Sequence, residues 1–305
     1  MNARPQNTSC SIAVVVLTLN EEANLPLCLA SVCDWAGQVF VVDAGSTDRT
    51  TQIAEAHGAI VVEHPFETHG VQWRWALKNL PLRCDWILAL DADQRVTPEL
   101  ASEISGMDTA GLDGIDGCYI KRRQLFRNRW IKHGGYYPKY LLKMFRPSAV
   151  LLDPTDLVDH HFYVAGAVKK LRHDLIESNR KEDDISFWIE KHNRYATLLA
   201  QEELRWRTAP REAAIVPSLA GHPDQKILAL KHLWRRMPLY VRPFVYFTYR
   251  YFFRLGFLDG KEGAIFHFLQ AFWYRLLVDI NIDDMLHSGG SEREMTVGIG
   301  SLTSK

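Results

Sequence analysis

The stretch SIAVVVLTLNEE at 11–22 decides the fold, and two later stretches repeat its grammar: QVFVVDAGSTDRT at 38–50 and DWILALDADQRV at 85–96. Each is a β-branched or apolar run that ends abruptly in acidic and small polar residues. Apolar runs without alternation read as strands buried on both faces, the habit of parallel strands. The polar residues then sit at the strands' carboxyl ends, the edge where open α/β sheets bind ligands. Between the runs the pattern is helical: near 21–34, with Asn20 as N-cap, near 48–57 and near 70–79, with a short strand at 59–63. Thr97-Pro98-Glu99 opens a further helix with Pro98 at its first position. This alternation predicts right-handed crossovers and an α/β fold, a Rossmann-like, mostly parallel central sheet with flanking helices.

After Gly106 the rhythm changes. GCYIKRRQLF, WIKHGGYY and YLLKMFR read as shorter antiparallel strands, and from about 183 the chain turns helical. The expected division is an α/β domain over 1–182, a helical region over 183–287 and a flexible Gly/Ser-rich tail over 288–305. The 305 residues are 47% hydrophobic and 24% charged, with zero formal net charge. That is an ordinary globular composition, and the balance of charge predicts no nucleic-acid partner. The five cysteines form no C-x-x-C pair and read as reduced thiols, with zinc disfavoured. The first ten residues lack the apolar core of a signal peptide, and no run approaches the ~18 to 20 apolar residues of a spanning helix. The expectation is a cytosolic protein.

The chemistry lies at the strand ends. Glu21, Glu22 and Asp43 could accept hydrogen bonds from a base N–H and from ribose hydroxyls. Asp91 and Asp93, one residue apart, could converge on one hard cation against a pyrophosphate. A departing nucleoside diphosphate gathers negative charge, which such a cation neutralises. Singly, each acid also fits a helix cap or a solvated loop. No G-x-G-x-x-G follows the first strand and no G-x-x-x-x-G-K-[ST] occurs, so the dinucleotide fingerprint and the P-loop are both absent.

At Leu19-Asn20-Glu21-Glu22, Val42-Asp43-Ala44-Gly45-Ser46-Thr47-Asp48 and Asp91-Ala92-Asp93 the chain resembles the family 2 glycosyltransferases, enzymes of the GT-A fold. A narrower likeness is to the bacterial branch with lipopolysaccharide-core β-glucosyltransferases. It rests on His69-Gly70-Val71-Gln72, the segment 130–146, His192-Asn193-Arg194-Tyr195 and Gly256-Phe257-Leu258-Asp259-Gly260. The resemblance implies that Thr18, Asn20 and Glu21 line a nucleotide pocket, that Asp43 contacts the base and that Gln72 sits near the nucleotide. It implies Asp91 at the ribose or pyrophosphate and Asp93 as principal ligand of Mg²⁺ or Mn²⁺.

Inversion at an anomeric carbon needs a base for the acceptor hydroxyl. In this family it comes from a later loop, here Leu157-Val158-Asp159-His160-His161-Phe162. Asp159 is the first choice, His160 could do the same work near neutral pH, and His161 could be a third metal ligand or a pyrophosphate contact. Asp153 and Asp156 are less favoured. Arg122, Arg123, Arg127, Arg129 and Lys132, interleaved with Phe126 and Trp130, could face the diphosphate or an anionic acceptor, or be an ordinary strand face. The glycines of His133-Gly134-Gly135-Tyr136 suggest close backbone approach to a ligand.

Residues 225–280 combine amphipathic helices, dense aromatics and Arg242, Arg250 and Arg254 at helical spacing. Such helices suit a bilayer interface; the alternative is a subdomain buried on the catalytic part or a second subunit. The reading is an inverting transferase of one sugar from a nucleotide-sugar donor, favouring UDP-sugar. Its acceptor is lipid-linked or a polysaccharide in bacterial envelope glycan synthesis, at the cytoplasmic face of the inner membrane. The rivals are a polyprenyl-phosphate sugar transferase, a nucleotidyltransferase and a non-catalytic membrane-associated scaffold.

Overall fold

The structure, a computed structural model, describes residues 12–107, 112–152, 161–208 and 216–288. Of the expected tail at 288–305, Ser288 closes the last helix and the rest lies outside them. The first three runs form β1 (Ile12–Thr18), β2 (Gln38–Asp43) and, after β3 (Ile60–Glu63), β4 (Trp86–Asp91); between them lie α1 (Leu25–Ala30), α2 (Thr50–Ala56) and α3 (His69–Asn79). A short β5 (Gln94–Val96) precedes α4 (Pro98–Ser105). After α4 come β6 (Ile115–Phe126), β7 (Arg129–Ile131), β8 (Lys139–Phe145), β9 (Val150–Leu152), β10 (Phe162–Val164) and β11 (Ala167–Glu177).

One sheet carries the order β3-β2-β1-β4-β8-β6-β11-β5, with β7 paired to β6, while β9 and β10 form a separate hairpin. β1 to β4 pair in parallel; β8 is antiparallel to β4 and β6, and β11 runs parallel to β6 and antiparallel to β5. This is the α/β architecture expected of the GT-A type. The apolar runs are continuous because both faces are covered. Val14, Val16, Val41 and Leu88 pack with Leu25 and Leu29 of α1 and Leu100 and Ile104 of α4. Val15, Phe40, Val42 and Ile87 pack on the other face with Trp73 and Ala76 of α3.

Local chemistry sets the helix limits. Thr97 Oγ1 accepts from Leu100 N–H at 3.2 Å and Pro98 sits in the first turn, as expected. The first helix differs. It begins at Leu25, because Pro26 is tolerated only in a first turn. Asn20 is no N-cap: it stands in the left-handed region at φ 54° and points its side chain across to Thr47 N–H, 2.8 Å away.

From Ile185 the chain is helical: α5 (Ile185–Thr208), α6 (Pro223–Arg236), α7 (Arg242–Thr248), a π-helical turn (Tyr249–Phe253), a 3₁₀ turn (Gly256–Asp259), α8 (Gly260–His267), a second π turn (Phe268–Trp273) and α9 (Tyr274–Ser288). α5 packs on α9 through Ala196, Ala200, Tyr274 and Val278. Phe126, Ile131 and Tyr136 meet Trp188 and Phe266, joining sheet to helices. Among the described residues no helix is long and apolar enough to cross a membrane.

Two basic residues depart from expectation. Arg242 and Arg250 do not face outward with Arg254. Arg242 is fully buried, with Nε on Asp279 Oδ1 and Nη1 on Glu203 Oε1, each at 2.7 Å. Arg250 Nε donates to Gly134 O at 2.6 Å, and its guanidinium covers the Tyr136 ring at 3.8 Å. Burial demands partners for a guanidinium, and these acids and carbonyls supply them. The close approach at Gly134 is likewise to protein: a Cβ there would lie 2.0 Å from the buried His267 ring.

Removing one partner of a buried ion pair strands the other charges. Arg242→Met is expected to lower stability by about 3–5 kcal/mol, read by chemical denaturation. Arg236→Met, at an exposed position, should change it by about 0.5 kcal/mol or less.

Candidate active site

The parallel register sets the site. Thr18 lies beside Asp43 and Leu17 beside Asp91, so three strands end together. Asp43 is only 1% exposed. Its Oδ1 accepts from Thr18 Oγ1 at 2.8 Å and Ser46 Oγ at 2.6 Å, and its Oδ2 from the N–H groups of Gly45 at 3.0 Å and Ser46 at 2.7 Å. These donors make Asp43 the brace of its own loop. Gly45 has φ 89°, a conformation open to glycine, and so lets the loop fold back on the carboxylate.

The loop after β1 is laced to this brace. Asn20 N–H donates to Ser46 Oγ and Glu21 N–H to Thr50 Oγ1, both at 2.8 Å; Glu22 N–H donates to Asp48 Oδ2 at 3.0 Å. Asp48 also accepts from Thr50 N–H at 2.9 Å and from the Thr50 hydroxyl. Burial alone would raise the Asp48 carboxyl, but these hydrogen bonds outweigh it and hold it below its ordinary value.

The charged centre is at the end of β4. One carboxylate oxygen from each of Asp91, Asp93 and Glu177 lies within 4.8 Å of the other two. β11 delivers Glu177, which pairs with Gln94 across the antiparallel register, and Ser178 N–H donates to Asp93 O at 2.9 Å. Burial, then the charges of Glu177 and Asp91, push the Asp93 carboxyl well above the usual carboxylate range. Cations ring the group. Lys143 Nζ, buried on β8, reaches Asp91 Oδ2 at 2.9 Å. Arg122 Nη1 donates to both Glu177 oxygens, at 2.9 and 3.0 Å, and Gln94 Nε2 donates to Oε2 at 2.8 Å.

The turn after β11 closes the edge. Lys181 Nζ binds Glu21 Oε1 at 2.6 Å and Asn20 O at 3.1 Å. Lys191 Nζ binds Glu182 at 2.6 Å; burial opposes its charge, but Glu182, Tyr195 and Asp93 outweigh that and raise its pKa. Glu177 and Lys143 were not expected from sequence. Leu175-Ile176-Glu177-Ser178-Asn179 has the same grammar as the first three strand ends, and Lys143 is the one charge inside Tyr140 to Phe145.

Thr18, Asn20, Glu21, Asp43, Asp91 and Asp93 thus share one edge. Gln72 stands behind it: its Oε1 is 2.6 Å from His64 Nδ1 and its Nε2 donates to His64 O at 3.0 Å, while His64 N–H donates to Asp43 O. His161 does not join the three-carboxylate group; its ring stacks beside that of Tyr163. Asp159 and His160, with Asp153 and Asp156, lie outside the described residues. The basic stretch divides: Arg122 joins the carboxylates, Arg123 pairs with Asp174 at 2.6 Å, and Arg127 and Arg129 are exposed.

The profile described as Glycosyl transferase family 2 matches residues 13–173, more than half of the chain. The chain belongs to glycosyl transferase family 2. Membership carries the expected class, a transferase. Over 93 residues it is 40% identical to an uncharacterized glycosyltransferase of Rickettsia bellii, covering 30% of this chain and 31% of that one. Over 89 residues it is 38% identical to the low-salt glycan biosynthesis hexosyltransferase of Haloferax volcanii, covering 27% and 21%. The chain spans about a third of the length of the Rickettsia relatives it matches. Glucosyl-3-phosphoglycerate synthase from Mycobacterium tuberculosis, in complex with Mn²⁺, UDP and glucosyl-3-phosphoglycerate, aligns over 66% of this chain and 86% of that one at 18% identity, TM-score 0.39.

Because the folded-state pKa of Asp48 is depressed, its stabilisation is full above the ordinary carboxylate pKa and fades as pH falls through the lowered value. Asp48→Asn is expected to cost about 1–2 kcal/mol near pH 7 and progressively less below about pH 4. Urea denaturation across that range reads the difference.

Proposed function

We propose that this family member is an inverting glycosyltransferase. It moves one sugar from a nucleoside-diphosphate sugar, UDP-sugar being the favoured donor, to a hydroxyl of a lipid-linked or polysaccharide acceptor in envelope glycan synthesis. The observation that carries the reading is the meeting of Asp91, Asp93 and Glu177 at the carboxyl edge of the parallel strands, with Lys143 paired to Asp91, Arg122 paired to Glu177 and the charge of Lys191 acting on Asp93. The likeness to lipopolysaccharide-core β-glucosyltransferases favours that pathway. A site at the cytoplasmic face of the inner membrane suits a soluble nucleotide donor and a lipid-held acceptor.

The residues fit a divalent cation. Three hard oxygen donors converge, and burial together with the charges of Glu177 and Asp91 raises the Asp93 carboxyl, a strain that a bound cation would relieve. Asp91, Asp93 and Glu177 would hold Mg²⁺ or Mn²⁺, which when bound supplies charge neutralisation to the departing diphosphate. Lys143 and Arg122 pair with Asp91 and Glu177 and hold the two carboxylates in position. The Asn20–Glu22 loop, tied to Ser46, Asp48 and Thr50, forms the wall on which the nucleoside is set. Asp159, or His160 beside it, takes the acceptor hydroxyl's proton as its oxygen attacks the anomeric carbon, opposite the leaving diphosphate.

Calorimetry of UDP with Mn²⁺ tests the donor site. Asp93→Asn and Glu177→Gln should each weaken metal-dependent UDP binding by about tenfold or more, and chelation of the metal should abolish the difference from wild type. Metal-independent binding of equal strength in all three proteins would sink this assignment. Asp159→Asn should keep donor binding and lose about 10²–10⁴-fold in turnover, with His160→Ala deciding the base if it does not.

A further inference from the structure

Glycosyl transfer at the sheet edge uses no residue of the helical hairpin formed by α7, the turns at 249–259 and α8. This hairpin carries the densest exposed apolar surface among the described residues. Phe253 is 76% exposed, and Phe244, Tyr249, Phe252, Phe257 and Leu258 each stand 44–58% in solvent. A shallow groove of about 460 Å³ runs between Phe244, Val245, Thr248, Tyr249 and Phe253. Leaving such side chains in water forgoes about 1.5–3 kcal/mol for each one that could be buried. A patch of this kind marks an interaction surface.

The exposure is built into the fold. Leu255, at the tip, stands in the left-handed region at φ 60°, a strained conformation for a branched side chain. Contacts on its inner side hold it. Gly134 N–H donates to Arg254 O at 2.8 Å, and Arg250 Nε donates back to Gly134 O. His133 grips Asp259 twice, Nδ1 to Oδ1 at 2.6 Å and N–H to Oδ2 at 2.9 Å. Gly134 and Gly256 lie so close to the His267 ring that a Cβ on either would come within 2.7 Å of it.

The charges at the tip have one sign outside. Arg254 and Lys261 are exposed, while the acid between them, Asp259, is 3% exposed and taken by His133; Glu262 is half-buried. Phe253, Arg254 and Leu255 are each exposed, the Arg254 guanidinium lying beside Gly135 at the base of the tip, so a cation flanks the apolar side chains. We propose that the tip at Phe252–Lys261 is a wedge that docks on an anionic bilayer surface. Its aromatics enter the acyl–headgroup boundary, and Arg254 and Lys261 meet lipid phosphates. With no helix among the described residues fit to cross a membrane, the contact is a surface one. The inference deepens the lipid-linked acceptor reading, but vesicle binding tests it without donor or turnover.

The experiment is sedimentation of the full chain with phosphatidylcholine vesicles, alone or containing about a third phosphatidylglycerol. Wild type should partition strongly to the anionic vesicles and less as salt rises. Phe253→Ser with Leu258→Ser should lower the partition coefficient by about tenfold or more. Arg254→Gln and Lys261→Gln should each lower it by about fivefold on anionic vesicles and leave neutral ones unchanged. Phe257→Ser gives an independent reading if the double variant fails to fold. Wild type that stays in solution, or folded tip variants that bind as wild type does, would overturn the wedge. So would a dimer in ultracentrifugation that Phe253→Ser dissociates and that ignores vesicles, which would assign the surface to a second copy. UDP and Mn²⁺ binding on the same preparations separates failure of the tip from failure of the transferase reading.

Discussion

Asp91, Asp93 and Glu177 crowd three carboxylates into one corner of the sheet, and mutual repulsion governs what surrounds them. Each has its own compensation: Lys143 for Asp91, Arg122 and Gln94 for Glu177, and the more distant charge of Lys191 for Asp93. Burial, and then the charges of Glu177 and Asp91, hold the Asp93 carboxyl well above the usual carboxylate range. A folded chain tolerates such crowding only when each group is held by elements stable for other reasons. Here those elements are β4, β8 and β11, whose apolar side chains build the core on both sheet faces. The site is a local destabilisation underwritten by a large hydrophobic interior.

Strand ends were legible because the chemistry of burial is written locally. Val14 to Val16, Phe40 to Val42 and Ile87 to Leu90 can only be interior, so the polar residues after them must emerge at an edge. The work of those emerging residues was less legible. Asp43 reads as a ligand by position; its bracing of its own loop, with donors from Gly45 and Ser46 two and three residues on, is work that position alone does not announce. Glu177 obeys the same grammar as Asp91, yet its strand begins Ala-Val-Lys-Lys and carries Arg172, His173 and Asp174, which hide the apolar signal. Lys143 looks like an interruption of a strand until its partner, 52 residues away, is known.

The helical half shows a different limit. Spacing identifies which residues share a helix face; it does not say whether that face looks inward. Arg242 and Arg250 turn inward because Glu203, Asp279 and Gly134 O, all remote in sequence, await them. The Gly134 segment looked like a place where backbone approaches a ligand, and its close approach, shared by Gly256, is to another part of the protein. The partner is the ring of His267, which neither segment announces.

β11 joins the sheet late and from far away. Glu177 stands opposite Gln94 and Gln124, so the third carboxylate arrives more than eighty residues after the first two. The opening βα units can assemble while the ribosome is still producing β6, but the acidic corner cannot be complete. A nascent or truncated chain ending before Glu177 would own a half-built cup, with Arg122 and Gln94 facing no carboxylate. The synthesis order therefore makes ligand capture a property of the finished sheet, acquired in one late long-range step.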